Sequence, residues 1–302
     1  MKYSEITLKS WCQPASASED QRINHSINMI RDAIHSSFSL KNLDIEVFVQ
    51  GSYGNNTNVR SSSDVDVCIM LKNTFFSEFP DGLTNSDYGF TSPSISYNQY
   101  KQYVLEALIQ KFGPQSITLG NKSIKIRSNT YHVETDAVVA FMLKDFRSIN
   151  SRIASNYIEG IEFISNDGHY VKNFPKEHIA NGREKNIATN HQYKNLVRIF
   201  KHIRNDMVDC HKINGDIISS FLVECLIWNV PNPIIMQSPS WKETVRNSLI
   251  YIYQNLCNNN ASRWREVSGQ LYLFSNHKWS ITTTTDFIVL MWNYLGFADE
   301  EY

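Results

Sequence analysis

The sequence predicts a mixed α+β fold in two lobes, an α/β lobe with a leading helix over residues 1–163 and a helical lobe over residues 164–302. That expectation rests on an apolar strand entered by two aspartates, on helical spacing of apolar residues in the second half, and on a change of texture near Ile164. A chain of 302 residues, 42% hydrophobic and 20% charged, is long enough to bury more than one core.

The first element is a helix over residues 19–38. Ile23, Ile27, Ile30 and Ile34 recur at three- and four-residue spacing and make one apolar stripe. Ile45 to Val49 is a short strand running into Gly51-Ser52, and the Asn- and Ser-rich stretch 53–63 reads as loop or the first turn of a short helix. From Asp64 to Leu71 the chain reads as a strand. Val65, Val67, Ile69 and Leu71 face one way, and Cys68 and Met70 continue the face of Asp64 and Asp66, so the strand is buried on both sides. Residues 79–98, with Pro80, Gly82, Gly89 and Pro93, are expected to form a long mobile connection. A helix over 97–112 follows. Strands over 117–127 and 131–143 are joined by Ser128-Asn129-Thr130. Residues 164–190 are rich in Asn, Gly and Lys, and helices are expected over 191–210, 217–229, 240–257, 261–273 and 285–295.

Composition narrows the function. The formal charge is −1, whereas a protein that tracks a long nucleic-acid backbone carries a clear basic excess. Long DNA or RNA is therefore not expected as substrate, while a few local cations suffice for one nucleoside triphosphate. No stretch approaches the ~20 apolar residues that span a bilayer, and the first residues lack the basic-then-apolar order of a signal peptide. The five cysteines are scattered without a Cys-x-x-Cys pair, as free thiols in a reducing cytoplasm would be. A cytoplasmic monomer without membrane partners is expected.

The chemistry concentrates at Gly51-Ser52 and at Asp64-x-Asp66. Strand side chains alternate, so Asp64 and Asp66 project from the same side. Two carboxylates that close repel unless cations sit between them, and hard divalent ions take oxygen ligands. A pair of such ions serves in-line displacement at phosphorus. Gly51 lets a phosphate approach the backbone, and the Ser52 hydroxyl can donate to it. A third carboxylate is sought downstream in Val133-Glu134-Thr135-Asp136-Ala137-Val138, where Glu134 and Asp136 face the same way and spacing does not choose between them. Lys194, Arg198 and Lys201 fall at four- and three-residue spacing, one basic stripe that could hold a triphosphate tail. Lys185 could serve the same purpose from an Asn-rich loop.

Gly-Ser, about ten residues, then Asp-x-Asp entering an apolar strand resembles the polymerase-β-like nucleotidyltransferases. Within that superfamily the chain is most similar to the bacterial cGAS/DncV-like nucleotidyltransferases, closest to their E clade. The resemblance is carried by Gln50-Gly51-Ser52-Tyr53-x-Asn55-x-Thr57-Asn58-x-Arg60 before Ser63-Asp64-Val65-Asp66, and by Asn173-Phe174-Pro175-Lys176-x-His178 with Asn181-Gly182-x-x-Lys185-Asn186-x-x-Thr189. Tyr193-Lys194-x-x-Val197-Arg198-x-x-Lys201 also fits, and Ser220-Phe221-x-x-Glu224-Cys225 looks like the helical lobe of oligoadenylate synthetases.

The resemblance implies a nucleotidyltransferase core with an oligoadenylate-synthetase-like helical lobe. It implies two Mg²⁺ ions, replaceable by Mn²⁺, on Asp64, Asp66 and Asp136, and a nucleotide seat drawn from Gln50, Gly51, Ser52, Asn173, Lys185, Thr189, Lys194, Arg198 and Lys201. In the resembled clade an asparagine near Asn173 is linked with pyrimidine use, so UTP is expected as one substrate beside ATP. The implied product is a cyclic dinucleotide that signals to an effector in antiphage defence (CBASS). A linear oligonucleotide synthase, a protein or tRNA nucleotidyltransferase and an inactive nucleotide-binding module are the rival readings.

Overall fold

The computed structural model describes residues 1–14, 17–59, 64–275 and 279–300. Arg60 and Ser63 of the predicted motif lie outside them. In chain order the first elements are α1 (Glu5–Ser10), α2 (Ala17–Ser36), β1 (Ile45–Val49), α3 (Gly51–Gly54), β2 (Val65–Glu78), α4 (Tyr97–Phe112), β3 (Ile117–Leu119), β4 (Ile124–Ile126) and β5 (Thr135–Asp145). There follow β6 (Ile158–Ile164), β7 (Tyr170–Asn173), α5 (Pro175–Ala188), α6 (Gln192–Asp209), α7 (Ser220–Trp228), α8 (Asn232–Met236), α9 (Trp241–Cys257) and α10 (Ile281–Tyr294).

The chain divides into two compact units. One holds residues 16–54 and 60–176; the other holds residues 1–15, 55–59 and 177–302. The division falls later than the expected 163/164 boundary because β7 pairs with β6 and stays with the sheet. Residues 1–15 join the helical unit instead, where Leu8 is fully buried in its core.

The first unit is a seven-stranded sheet among the described residues, in the order β1-β2-β5-β4-β3, with β6 on β5 and β7 on β6. β2 and β5 run parallel; the other pairs are antiparallel. Val65, Val67, Cys68, Ile69, Met70 and Leu71 are all inaccessible, as a strand filled on both faces requires. The stripe Ile23, Ile27, Ile30 and Ile34 of α2 enters the same core, each residue contributing about 1.5–3 kcal/mol by leaving water. α4 starts at Ser96, whose side chain caps the Gln99 N–H, and buries Tyr97, Tyr100, Val104 and Leu108.

Three expectations are corrected here. Residues 117–127 are not one strand but a hairpin of β3 and β4, turning where Gly120 donates its N–H to the Ser123 carbonyl. The expected loose connection over 79–98 is packed in its first half: Phe79, Tyr88 and Phe90 lie against Phe146, and the Tyr88 hydroxyl donates to the Ser151 carbonyl at 2.5 Å. Residues 164–190 contain β7 and α5, so Lys185 lies on a helix and not in a loop.

The second unit packs its helices around one apolar core that includes Val197, Phe200, Leu226, Leu249, Phe287 and Met291. Residues 261–273 are not an α-helix: a short 3-10 helix, Asn260–Arg263, ends there and irregular chain follows. Gly269 takes a left-handed φ of 72°, and Asn181 donates to the Val267 and Ser268 carbonyls at 2.9 Å, withdrawing them from a helical ladder. No helix among the described residues is long and apolar enough to cross a membrane.

Candidate active site

Strand register brings the acids together. Asp64 precedes β2 and Asp66 is its second residue, so both leave the same face. The parallel pairing of β2 with β5 sets Asp66 opposite Asp136. Glu134, the rival third acid, is exposed ahead of β5, and its carbonyl accepts the Val65 N–H at 3.0 Å. Register thus sets Asp136, and not Glu134, opposite Asp66.

The turn after β1 faces these acids. The Gln50 N–H donates to the Asp66 carbonyl at 2.9 Å, which pins the start of α3 beside β2. Gly51 has φ of 63°, and a Cβ on it would collide with Asp66 Oδ2. Glycine is required there twice, by conformation and by space. Ser52 follows in α3, half-buried.

Burial pushes the Asp136 carboxyl up; the Lys125 ammonium opposes the rise and the nearby Asp64 charge adds to it. Lys125 stands opposite Asp136 in the β4–β5 register, with its ammonium 3.7 Å from Asp136 Oδ1, beyond hydrogen-bond reach. Among the described residues that oxygen is buried without a hydrogen-bond partner. A carboxylate oxygen so placed is unfavourable unless a cation or donor reaches it. Three carboxylates with oxygen donors only, one of them with an orphan oxygen, fit hard ions such as Mg²⁺ or Mn²⁺. Among the described residues no three His, Cys, Asp or Glu side chains stand close enough together to hold an ion as they are.

Asn173 shares the acids' face. Asp136, Val138, Ala140 and Met142 alternate onto one side of β5; Met142 is opposite Ile161 on β6, and Ile161 is opposite Asn173 on β7. Asn173 is exposed, and its side chain makes no hydrogen bond among the described residues.

The basic residues behave otherwise. Lys201 is 2% exposed, and its ammonium lies 2.6 Å from Glu224 Oε2 and donates to the Thr57 hydroxyl at 2.9 Å. Arg198 is also buried and donates to the Cys12 and Asn56 carbonyls and to Asn195. Their spacing does make a stripe with Lys194, but the Arg198 and Lys201 part of it points into the helical unit. Thr189 is inaccessible; its hydroxyl donates to the Lys185 carbonyl at 2.8 Å and accepts the Tyr193 N–H at 3.0 Å, tying α5 to α6. Lys185 donates to the Val230 carbonyl at 2.8 Å, and burial brings its ammonium down to about 8. Lys194 stays half-buried, with its charge disfavoured first by burial. The sequence reasoning missed Lys125; the signal was Ile124-Lys125-Ile126, a lone cation on the polar side of a short strand.

Residues 27–137 match a family model for the nucleotidyltransferase domain, and residues 180–296 match that for the cGAS/DncV-like nucleotidyltransferase C-terminal helical domain. The chain is 40% identical over 298 residues to the cyclic dipyrimidine nucleotide synthase CdnE of Cecembia lonarensis, spanning 98% of this chain and 99% of that one. It is 35% identical over 305 residues to the cyclic dipurine nucleotide synthase of Elizabethkingia meningoseptica, spanning 98% and 100%. The solved structure of the Rhodothermus marinus CdnE c-UMP-AMP synthase with Apcpp and Upnpp superimposes with a TM-score of 0.85 at 28% identity, over 97% of each chain. The chain belongs to the cGAS/DncV-like nucleotidyltransferases, in the CdnE clade, and is a nucleotidyltransferase.

Proposed function

We propose that the protein joins two ribonucleoside triphosphates, at least one of them UTP and with ATP as the other favoured substrate, into a cyclic dinucleotide used as an antiphage second messenger. The observation that carries this is the register of Asp66 against Asp136 beside the Gly51 turn. Asp64, Asp66 and Asp136 would hold the two Mg²⁺ or Mn²⁺ ions. Bound there, the ions would polarise the α-phosphate and lower the pKa of the acceptor hydroxyl.

The chain's own residues divide the remaining work. Gly51 admits the triphosphate to the backbone, and the Ser52 hydroxyl and the N–H groups of the turn donate to its oxygens. Gln50 fixes that turn through its backbone bond to Asp66. Asp136 accepts the proton of the acceptor hydroxyl at its carboxylate, a role suited to an acid that burial makes more basic. The hydroxyl oxygen bonds to the α-phosphorus as the bond to pyrophosphate breaks. A second transfer, from the other triphosphate, closes the ring. Lys194 is the remaining stripe residue for the triphosphate tail, while Arg198, Lys201 and Thr189 maintain the helical unit. Asn173 offers both a donor and an acceptor to the uracil edge.

The test compares purified wild type with Asn173→Ser in an equimolar mixture of the four ribonucleoside triphosphates, each labelled in turn, with Mg²⁺. Wild type should incorporate uridine, and Asn173→Ser should lower the uridine share of the product. Full uridine incorporation by the variant removes the base assignment; purine-only product from wild type removes UTP.

A further inference from the structure

The chain around Asn173 is fixed from both sides of the sheet. Continuing the β6–β7 ladder by one residue sets Phe174 opposite Gly160. Phe174 is 4% exposed, and its ring lies against the α-carbon of Gly160: a Cβ there would stand 2.9 Å from two ring carbons and 3.0 Å from the Asn173 carbonyl oxygen. Glycine inside a strand marks such a close approach. Two residues later the chain is back on the acids' face. There the Lys176 ammonium lies 2.8 Å from Glu46 Oε2 on β1 and 2.6 Å from Glu159 Oε1 on β6, and 5.5 Å from the centre of the Phe48 ring. Glu46 and Phe48 stand opposite Met70 and Cys68, on the Asp66 side of β2. One ammonium therefore joins strands that flank the two acid-bearing strands.

We infer that Gly160, Phe174 and Lys176 form a positioning frame that sets the Asn173 amide for the base, and so govern base choice without touching the reacting atoms. The inference rests on Asn173 reading uracil. Phe174 packs on one face and Lys176 pairs on the other, with Asn173 as the rung between them. Neither anchor needs to contact nucleotide. A displacement of about 1 Å in such a rung is enough to change a rate or affinity by about a hundredfold.

The experiment measures kcat and KM for UTP and for ATP in the full-length protein carrying Gly160→Ala, Lys176→Met, Lys176→Arg, Asn173→Ser and the Asn173→Ser/Gly160→Ala pair, with thermal midpoints as a check of folding. Expected are a rise of about tenfold in KM for UTP in Gly160→Ala and Lys176→Met, with KM for ATP and kcat within about threefold, and partial recovery in Lys176→Arg. The double variant should match Asn173→Ser alone, because the frame acts through that amide. If Asn173→Ser raises the KM for UTP while folded Gly160→Ala and Lys176→Met leave it unchanged, the frame is overturned and the uracil reading stands. If Asn173→Ser itself changes nothing, the uracil reading fails and takes the frame with it. Should Gly160→Ala not fold, the half-exposed Lys176→Met decides the matter alone.

Discussion

The two units treat buried charge in opposite ways. In the sheet unit Asp136 keeps a buried oxygen that has no hydrogen-bond partner among the described residues, with the Lys125 ammonium 3.7 Å away. In the helical unit Glu224 is buried more deeply, yet it is met by His178 at 2.9 Å, Lys201 at 2.6 Å and Thr57 at 2.8 Å. The incomplete arrangement is the one suited to a ligand. The complete one is architecture, and breaking it leaves charges stranded. Substitutions in the two places should therefore separate activity from stability.

The largest effect is expected at the acids. Asp66→Ala or Asp136→Asn should lower product formation by about 10²–10³-fold or more, as loss of a group that stabilises developing charge does elsewhere. For Asp136→Asn the thermal midpoint should hold or rise, since an unfavourable buried carboxylate is removed. A folded Asp136→Asn enzyme with near-normal turnover would show that the Asp136 carboxylate is not needed for the reaction.

Next comes Glu224→Ala, which should destabilise the protein by about 3–5 kcal/mol by leaving Lys201 buried and unpaired. Chemical denaturation of wild type and variant measures it. Acid should act in the same way. Burial works against the Glu224 charge, but Lys201 and His178 overcome it and hold its carboxyl well below the usual range. A depressed acid lends stability at neutral pH that is lost as pH falls from its unfolded value through the lower folded one. Wild type should thus lose a stabilising contribution in acid that the variant has already lost at neutral pH.

A smaller effect is expected at Glu162, which lies on the face of β6 opposite Glu159 and Ile161. It is 6% exposed, and burial pushes its carboxyl up to about 7. A raised acid has the opposite sign: the penalty for charging it grows as pH rises past the unfolded value near 4.5 and levels off above 7. Glu162→Gln should therefore stabilise the protein at pH ~8 by up to about 3 kcal/mol and leave it little changed at pH ~4. Equal denaturation midpoints for wild type and variant at the higher pH would contradict the assignment.

Much of this was legible in the sequence where the signal was local. The two-sided burial of Val65 to Leu71, the stripe of Ile23 to Ile34 and both ends of α4 follow from periodicity and capping. Asp136 needed the strand pairing, because Glu134 and Asp136 look alike until register is known. The basic stripe shows the limit most clearly. Spacing puts Lys194, Arg198 and Lys201 on one side of α6 but does not say which way that side points. The partner that turns Lys201 inward, Glu224, is on another helix, and Thr57 arrives from a segment 144 residues earlier. The short strands β6 and β7 escaped for a related reason: Gly160 and the polar run 165–169 break the alternation, and only Phe174 packing on Gly160 explains why the glycine is there.

The most direct test of the central claim is the mass of the product made from the four ribonucleoside triphosphates with Mg²⁺, after phosphatase treatment, beside an Asp64→Ala/Asp66→Ala control. Expected is a dinucleotide that resists phosphatase, is one water lighter than the linear dinucleotide 5′-monophosphate, contains uridine, and is absent from the control. A product that loses terminal phosphates to leave the linear mass, or one made equally by the control, would contradict it.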